Sequence, residues 1–233
     1  MGNCGIKIVG RSRKLRINYR TTEETRRFAT SVLENIAVDD LDGGEDSISG
    51  YRSLMHGEDP RILPFASLSD EVSEVAAKIR QLIDVGEAMQ NIWVTARTKR
   101  LRDQFAQQLQ QHGLDTWVLE QQNDNRNTPG IRLATMHRVK GLEFRYVFIV
   151  GVNEGVIPLN AATSGTEDPV EARQRDLNER ALLHVAATRA IKGLFISYAG
   201  SPSPYLTHQP GGPSNPQRHA ATGVRPHPGG NRP

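Results

Sequence analysis

Apolar runs of strand length alternate along this chain with stretches of helical periodicity, and no other feature limits its fold so tightly. Arg61 to Phe65, Ile92-Trp93-Val94, Thr116 to Leu119, Ile131 to Ala134 and Leu194 to Tyr198 read as strands. Tyr146 to Val150 is the most apolar run and the best candidate for a central strand. Between these lie helices. Ser67 with Asp70 three residues on has the form of a helix-starting capping box. Val72, Val75, Ala76, Ile79, Leu82 and Ile83 then follow at helical spacing, and Gly86 ends the run. Leu101, Phe105 and Leu109 share one face of a second helix that stops at His112-Gly113. Thr22 to Asn35 and Leu177 to Arg189 read as two more, the first preceded by a strand from Leu15 to Arg20. Strands alternating with helices of this length predict an α/β fold with a mainly parallel sheet flanked by helices. Ligands are expected at the carboxyl ends of its strands.

Composition removes several classes. Cys4 is the single cysteine, so a disulfide scaffold and a cysteine-rich zinc site are excluded, and no metal site is expected. No apolar run approaches the length of a membrane-spanning helix, and no charged start leads into an apolar stretch as in a secretory signal. The start imitates a myristoylation site but carries Ile6 where Ser or Thr is required. A cytoplasmic protein without a membrane partner is the expectation. The net charge of +3 comes from the end of the chain, where Arg218, Arg225 and Arg232 stand without an acid. Without these three, basic and acidic residues are equal in number. Eight of the thirteen prolines also fall between Gly200 and Pro233, so 1–199 reads as the folded domain and 200–233 as a disordered tail. Asp39 to Gly50 reads as an acidic loop. Lys7, Arg11, Arg13, Lys14, Arg16 and Arg20 cluster near the start, suited either to phosphates or to a solvated face.

Three segments place polar groups where a strand ends. In Asn18-Tyr19-Arg20, an aromatic ring suited to stacking on a base precedes a planar cation suited to a phosphate. Thr135-Met136-His137-Arg138-Val139-Lys140-Gly141-Leu142-Glu143-Phe144 puts a hydroxyl, an imidazole, an ammonium and a glycine within seven residues, a loop fitted to phosphate oxygens. Gly141 there permits close backbone approach or a positive φ. The helix from Glu179 to Ala190 ends in Thr188-Arg189, an arrangement that in most helices only complements the dipole.

In order and spacing these segments resemble the UvrD/Rep family of superfamily 1 DNA helicases. Asn18-Tyr19-Arg20 is similar to motif IV of that family, Thr135 to Phe144 to motif V, and Ala187-Thr188-Arg189-Ala190 to motif VI. Thr95-Ala96-Arg97-Thr98 and Val152-Asn153-Glu154-Gly155-Val156-Ile157-Pro158 are also family-like, and the resemblance runs over roughly residues 5 to 200. It implies the second of two RecA-like motor domains, a P-loop NTPase-type fold. It further implies that Tyr19 stacks on the adenine of ATP, that Arg20 and Arg189 reach the γ-phosphate, and that Arg189 serves as an arginine finger. Glu143 would bind the nucleotide ribose. Thr135, His137 and Lys140 would touch the phosphates of single-stranded DNA, and 3′-to-5′ movement would follow from the family.

The departures are equally informative. No G-x-x-x-x-G-K-[ST] occurs, so the Walker A half that cradles phosphates and holds Mg2+ is absent from this sequence. Met1 falls just upstream of motif IV, which reads as a motor half whose N-terminal RecA-like partner domain is supplied in cis or in trans. Only Gln121 to Gly130 separate the Leu119 strand from Ile131, where larger family members insert a domain, and this looks like a compact form. The leading expectation is the C-terminal half of an ATP-dependent DNA helicase, inactive alone. A non-catalytic DNA-binding or regulatory module and an inactive helicase fragment are the alternatives.

Overall fold

The computed structural model describes residues 17–33, 52–119, 125, 127–138, 141–166 and 168–206. Lys140, the basic residues before Ile17, the acidic loop and the chain from 207 onward lie outside the described residues. The order is β1 (Ile17–Thr22), α1 (Glu23–Ser31), β2 (Arg52–Met55), β3 (Arg61–Phe65), α2 (Leu68–Asp84), β4 (Ile92–Ala96), α3 (Lys99–Gln111), β5 (Thr116–Val118), β6 (Ile131–Thr135), β7 (Phe144–Ile149), α4 (Asn160–Thr163), α5 (Pro169–Ala187) and β8 (Ala190–Ala199).

Six strands form one parallel sheet in the order β3-β8-β7-β4-β6-β5. Its centre follows from β4, whose five residues are all buried. Period-two alternation sends Trp93 into the core shared with α1 and α5, and Ile92 and Val94 into the core shared with α2 and α3. Phe148 and Phe195, directly opposite on β7 and β8, stack with centroids 4.6 Å apart. Trp93 stacks on Phe144 at 5.4 Å across the other face. Such fully buried rings each contribute several kcal/mol, about 3–5 when truncated to alanine. The parallel α/β sheet expected from the alternation is therefore what forms.

The helix starts follow local chemistry. Ser67 accepts from the Asp70 backbone N–H at 3.2 Å, the cap expected; the Asp70 carboxylate accepts from the Ser67 hydroxyl at 2.7 Å, where a full capping box would reach the Ser67 backbone N–H. Thr22 and Thr98 cap α1 and α3 by accepting from the backbone N–H three residues on, at Thr25 and Leu101. α5 begins well before the expected Leu177, because Asp168 accepts from Val170 N–H and Pro169 sits in the first turn, where its missing N–H costs nothing.

Three elements differ from expectation. β2 pairs in parallel with β1, outside the main sheet. Its sequence has no strand signature, and long-range bonds hold it: Ser53 N–H donates to Glu23 Oε2 at 2.8 Å, and Ser53 Oγ donates to the Thr21 carbonyl at 2.5 Å. The short helix α4 was not foreseen either. The folded domain also runs past Gly200. Ser203 N–H donates to the Val152 carbonyl at 2.9 Å, and Tyr205 and Leu206 are buried. The first residues of the expected tail are thus part of the domain, because an aromatic and an aliphatic side chain there find a core to enter.

Candidate nucleotide and nucleic-acid interface

Motif IV is shaped by its asparagine. Asn18 Oδ1 accepts from Arg20 N–H at 2.8 Å and Asn18 Nδ2 donates to Thr21 Oγ1 at 2.7 Å, a local turn within β1. Tyr19 is left 66% exposed, an apolar ring held in water with no core to bury it. Arg20 reaches instead to Glu143, with Nε 3.1 Å from Oε1. Glu143 immediately precedes β7, and Arg189 immediately precedes β8. The two strand starts are joined where Phe144 N–H donates to the Arg189 carbonyl at 3.0 Å. The Arg189 side chain donates to the carbonyls of Val185 at 3.2 Å and Leu142 at 3.4 Å. Partial burial pulls its pKa below the ordinary arginine value; Glu143 acts in the opposite direction and Arg20 adds to the lowering. Arg20, Glu143 and Arg189 therefore form one electrostatic cluster, brought together from residues far apart in the chain.

Of the residues expected at DNA, Thr135 and His137 sit at the opposite edge of the sheet. Thr135 is the last residue of β6 and is buried. His137 follows in the 3-10 turn Met136–Arg138 and is exposed. Partial desolvation holds the His137 imidazole below its ordinary pKa, the Arg97 guanidinium lowers it further, and Glu179 opposes both. Among the described residues expected to meet ligands, Thr135 and His137 lie at the carboxyl ends of the strands. Glu143 and Arg189 stand at the amino ends. Motif V passes from one edge to the other within nine residues, between Thr135 and Phe144. Gly141, at φ 85°, occupies a conformation that favours glycine, with open space where a Cβ would lie; its positive φ is the requirement here.

One pair escaped the reading of the sequence. Arg97, just after β4, grips Glu179 of α5 with both prongs of its guanidinium: Nε to Oε2 at 2.8 Å and Nη2 to Oε1 at 2.6 Å. Both side chains are buried, 10% and 4% exposed. Glu179 Oε2 also accepts from Leu159 N–H at 3.1 Å, at the start of α4. Burial pushes the Glu179 carboxyl upward, but the Arg97 fork and the Leu159 N–H outweigh it and hold the pKa below the ordinary value. A signal was present, since Glu179 shares the buried stripe of Leu183, Ala186 and Ala187 on α5. A carboxylate on an apolar stripe calls for a partner.

Among the described residues no group of three or more His, Cys, Asp or Glu side chains is arranged to hold a metal ion, and no helix is long and apolar enough to cross a membrane.

An α/β domain with this motif order resembles a helicase domain, and comparison with known proteins makes the class specific. The model of the UvrD-like helicase C-terminal domain matches residues 13–126 and 118–201, and the chain belongs to that family. It is 36% identical over 150 residues to the ATP-dependent DNA helicase UvrD2 of Mycobacterium bovis, covering 60% of this chain and 20% of that protein. It is 48% identical over 73 residues to the ATP-dependent DNA helicase Rep of Buchnera aphidicola, covering 31% of this chain and 10% of that protein. The chain thus spans a fifth or less of these relatives. In fold it is similar to the C-terminal domain of a possible DNA helicase from Lactobacillus plantarum, with a TM-score of 0.58 at 18% identity, covering 82% of this chain and 93% of that one.

Proposed function

We propose that this chain is the second motor half of an ATP-dependent, 3′-to-5′ DNA helicase, completed by an N-terminal RecA-like motor domain in cis or in trans. The observation that carries the reading is the cluster of Arg20, Glu143 and Arg189 at one edge of the sheet, beside the exposed ring of Tyr19 on β1. Two guanidinium groups in one place repel each other, and a carboxylate between them moderates that cost until an anionic ligand arrives. In the proposed roles Tyr19 stacks on adenine, Glu143 turns to the ribose, and Arg20 and Arg189 meet the γ-phosphate. Phosphoryl transfer spreads charge over equatorial oxygens, and planar cations held in position stabilise it without reorganising. Thr135, His137 and Lys140 are assigned to the phosphates of single-stranded DNA, a contact without base preference and sensitive to salt. Mg2+ falls to the partner domain, whose phosphate-binding loop this sequence lacks.

The test is steady-state ATP hydrolysis by the chain supplied with a first motor domain, at saturating single-stranded DNA. The chain alone should turn over no ATP. In the assembled enzyme Arg189→Ala should lose turnover by at least about a hundredfold, in keeping with arginine fingers elsewhere. Tyr19→Ala should chiefly raise KM, because stacking holds the base equally in ground and transition states. Wild-type turnover in Arg189→Ala would reduce that arginine to a helix-end charge and remove the proposal.

A further inference from the structure

Two connectors run between the edges of the sheet, and they are fastened to each other at both ends. One is the motif V segment from Thr135 to Phe144; the other is α5, which ends beside Arg189. At the amino edge the fastening is the Arg189 side chain on the Leu142 carbonyl and the Phe144 N–H on the Arg189 carbonyl. At the carboxyl edge α5 packs on the turn Met136–Arg138, and the Arg97–Glu179 pair lies close enough for both charges to act on His137. From Glu179 to the end of α5 at Ala187, two residues before Arg189, the helix rises about 12 Å, so a displacement at one end of a stiff rod is delivered at the other.

We propose that the buried Arg97–Glu179 pair is a positioning joint: it sets the exposed His137 turn and the arginine-bearing end of α5 relative to one another, so that occupation of one edge by single-stranded DNA is felt at Arg189. This rests on the functional reading above. The geometry favours a joint over a simple brace. A bidentate guanidinium–carboxylate fork fixes direction as well as distance, which an apolar contact does not. The same carboxylate also holds the N–H of Leu159, so three segments meet at one side chain: the end of β4, the start of α4, and α5. Burying two charges is seldom a net gain in stability, and replacing both partners of such a pair by neutral groups often costs little. A pair kept for stability alone would be a poor use of a buried site.

That last point makes the joint separable from the fold. The double substitution Arg97→Met with Glu179→Gln leaves no uncompensated buried charge, and its thermal midpoint should stay close to that of the native chain. In the enzyme assembled with a first motor domain, its turnover without DNA should be retained. The stimulation by oligothymidylate should fall about fivefold or more, the low end of ordinary coupling between sites. On the chain alone, oligothymidylate bound at the His137 turn should shift the backbone NMR signals of Leu142, Phe144 and Arg189 in the native protein. In the double variant it should bind and leave them unmoved. Arg97→Lys, which keeps the charge and loses the fork, should fall between the two. Full stimulation in the double variant, with Arg189→Ala still inactive, would overturn the joint and leave the helicase reading standing. An assembled native enzyme whose turnover ignores DNA and Arg189 alike would overturn both.

Discussion

Glu71 and Glu179 are both buried glutamates on helices packed against the sheet, and their pKa values move in opposite directions. Glu179 faces Arg97 and is held below the ordinary carboxylate value despite its burial. Glu71 sits on α2, against the other face. Its Oε1 accepts from Gly151 N–H at 2.8 Å and from Ser197 Oγ at 2.5 Å, while its Oε2 has no partner among the described residues. There desolvation prevails over both hydrogen bonds, and the pKa is raised. Two neutral donors do not replace one guanidinium fork. Glu179 is ionised where the two edge-to-edge connectors meet; Glu71 ties α2 to the ends of β7 and β8 as a group inclined to hold its proton. Its acceptor role is assisted by Gly151, at φ 63°, where a Cβ would collide with the Leu101 side chain.

The largest effect should come from breaking the ionised pair on one side. Arg97→Ala strands Glu179 without its counter-charge and should cost about 3–5 kcal/mol. In a domain of this size that lowers Tm by roughly 6–20 °C, measurable by calorimetry or by circular dichroism. If Arg97→Ala melted within a degree of the native chain, the ionised assignment of Glu179 would be wrong and the contrast with Glu71 would collapse.

A half-exposed pair on the same helix sharpens the comparison. Arg180 donates to Asp176 at 2.7 Å and to the Val32 carbonyl at 3.0 Å, and its guanidinium lies 4.3 Å from the ring centroid of Tyr205. Tyr205 in turn donates to Asp176 at 2.6 Å, so this cluster clasps residues 201–206 onto α5. Solvent reaches both charges and screens them. Arg180→Ala should therefore cost less than Arg97→Ala, about 1–2 kcal/mol, mostly from the lost cation–π contact and packing. Chemical denaturation of the two variants side by side checks the order, and a larger loss at Arg180 would contradict burial as the deciding variable.

These contrasts also explain what could be read from the sequence. Capping at Ser67 and Asp70, the helical spacing from Val72 to Ile83 and the apolar run of β4 act between neighbours, and all were legible. The family resemblance singled out Tyr19, Arg20, Glu143 and Arg189 as the proposed nucleotide contacts. Their placement at the amino edge was not legible, because it depends on how motif V crosses the sheet. The Arg97–Glu179 pair joins residues 82 apart, and Glu71 meets Ser197 across 126. Neither partner carries a local mark of the other. β2 was missed for the same reason, its strand being held by Glu23 and Thr21 and not by its own alternation. In the segment after Gly200, Pro and Gly content outweighed the one clue that mattered, two large apolar side chains in succession at Tyr205 and Leu206.

The smallest effect, and the one that isolates sign, concerns Glu71→Gln. Glutamine keeps an acceptor for Gly151 N–H and Ser197 Oγ but cannot ionise, so at mildly acidic pH the variant should lie within about 1 kcal/mol of the native chain. The two proteins should then diverge with pH. The folded pKa of Glu71 is raised, so the unfolded chain ionises first. Its contribution to stability is fully present below the ordinary carboxylate value and is lost as pH climbs through the raised folded value. Glu179, with a lowered folded pKa, does the reverse: its contribution is present above the ordinary value and is lost as pH falls through the lowered one. Subtracting the unfolding free energy of Glu71→Gln from that of the native chain across pH should give a curve that declines on the alkaline side of that ordinary value and is flat below it. The same subtraction for Glu179→Gln should be flat above it and decline on the acid side. Denaturant melts at half-unit steps of pH supply both curves. A Glu71 curve that rose with pH would require a cation beside the unpartnered oxygen, and the two glutamates would then be alike.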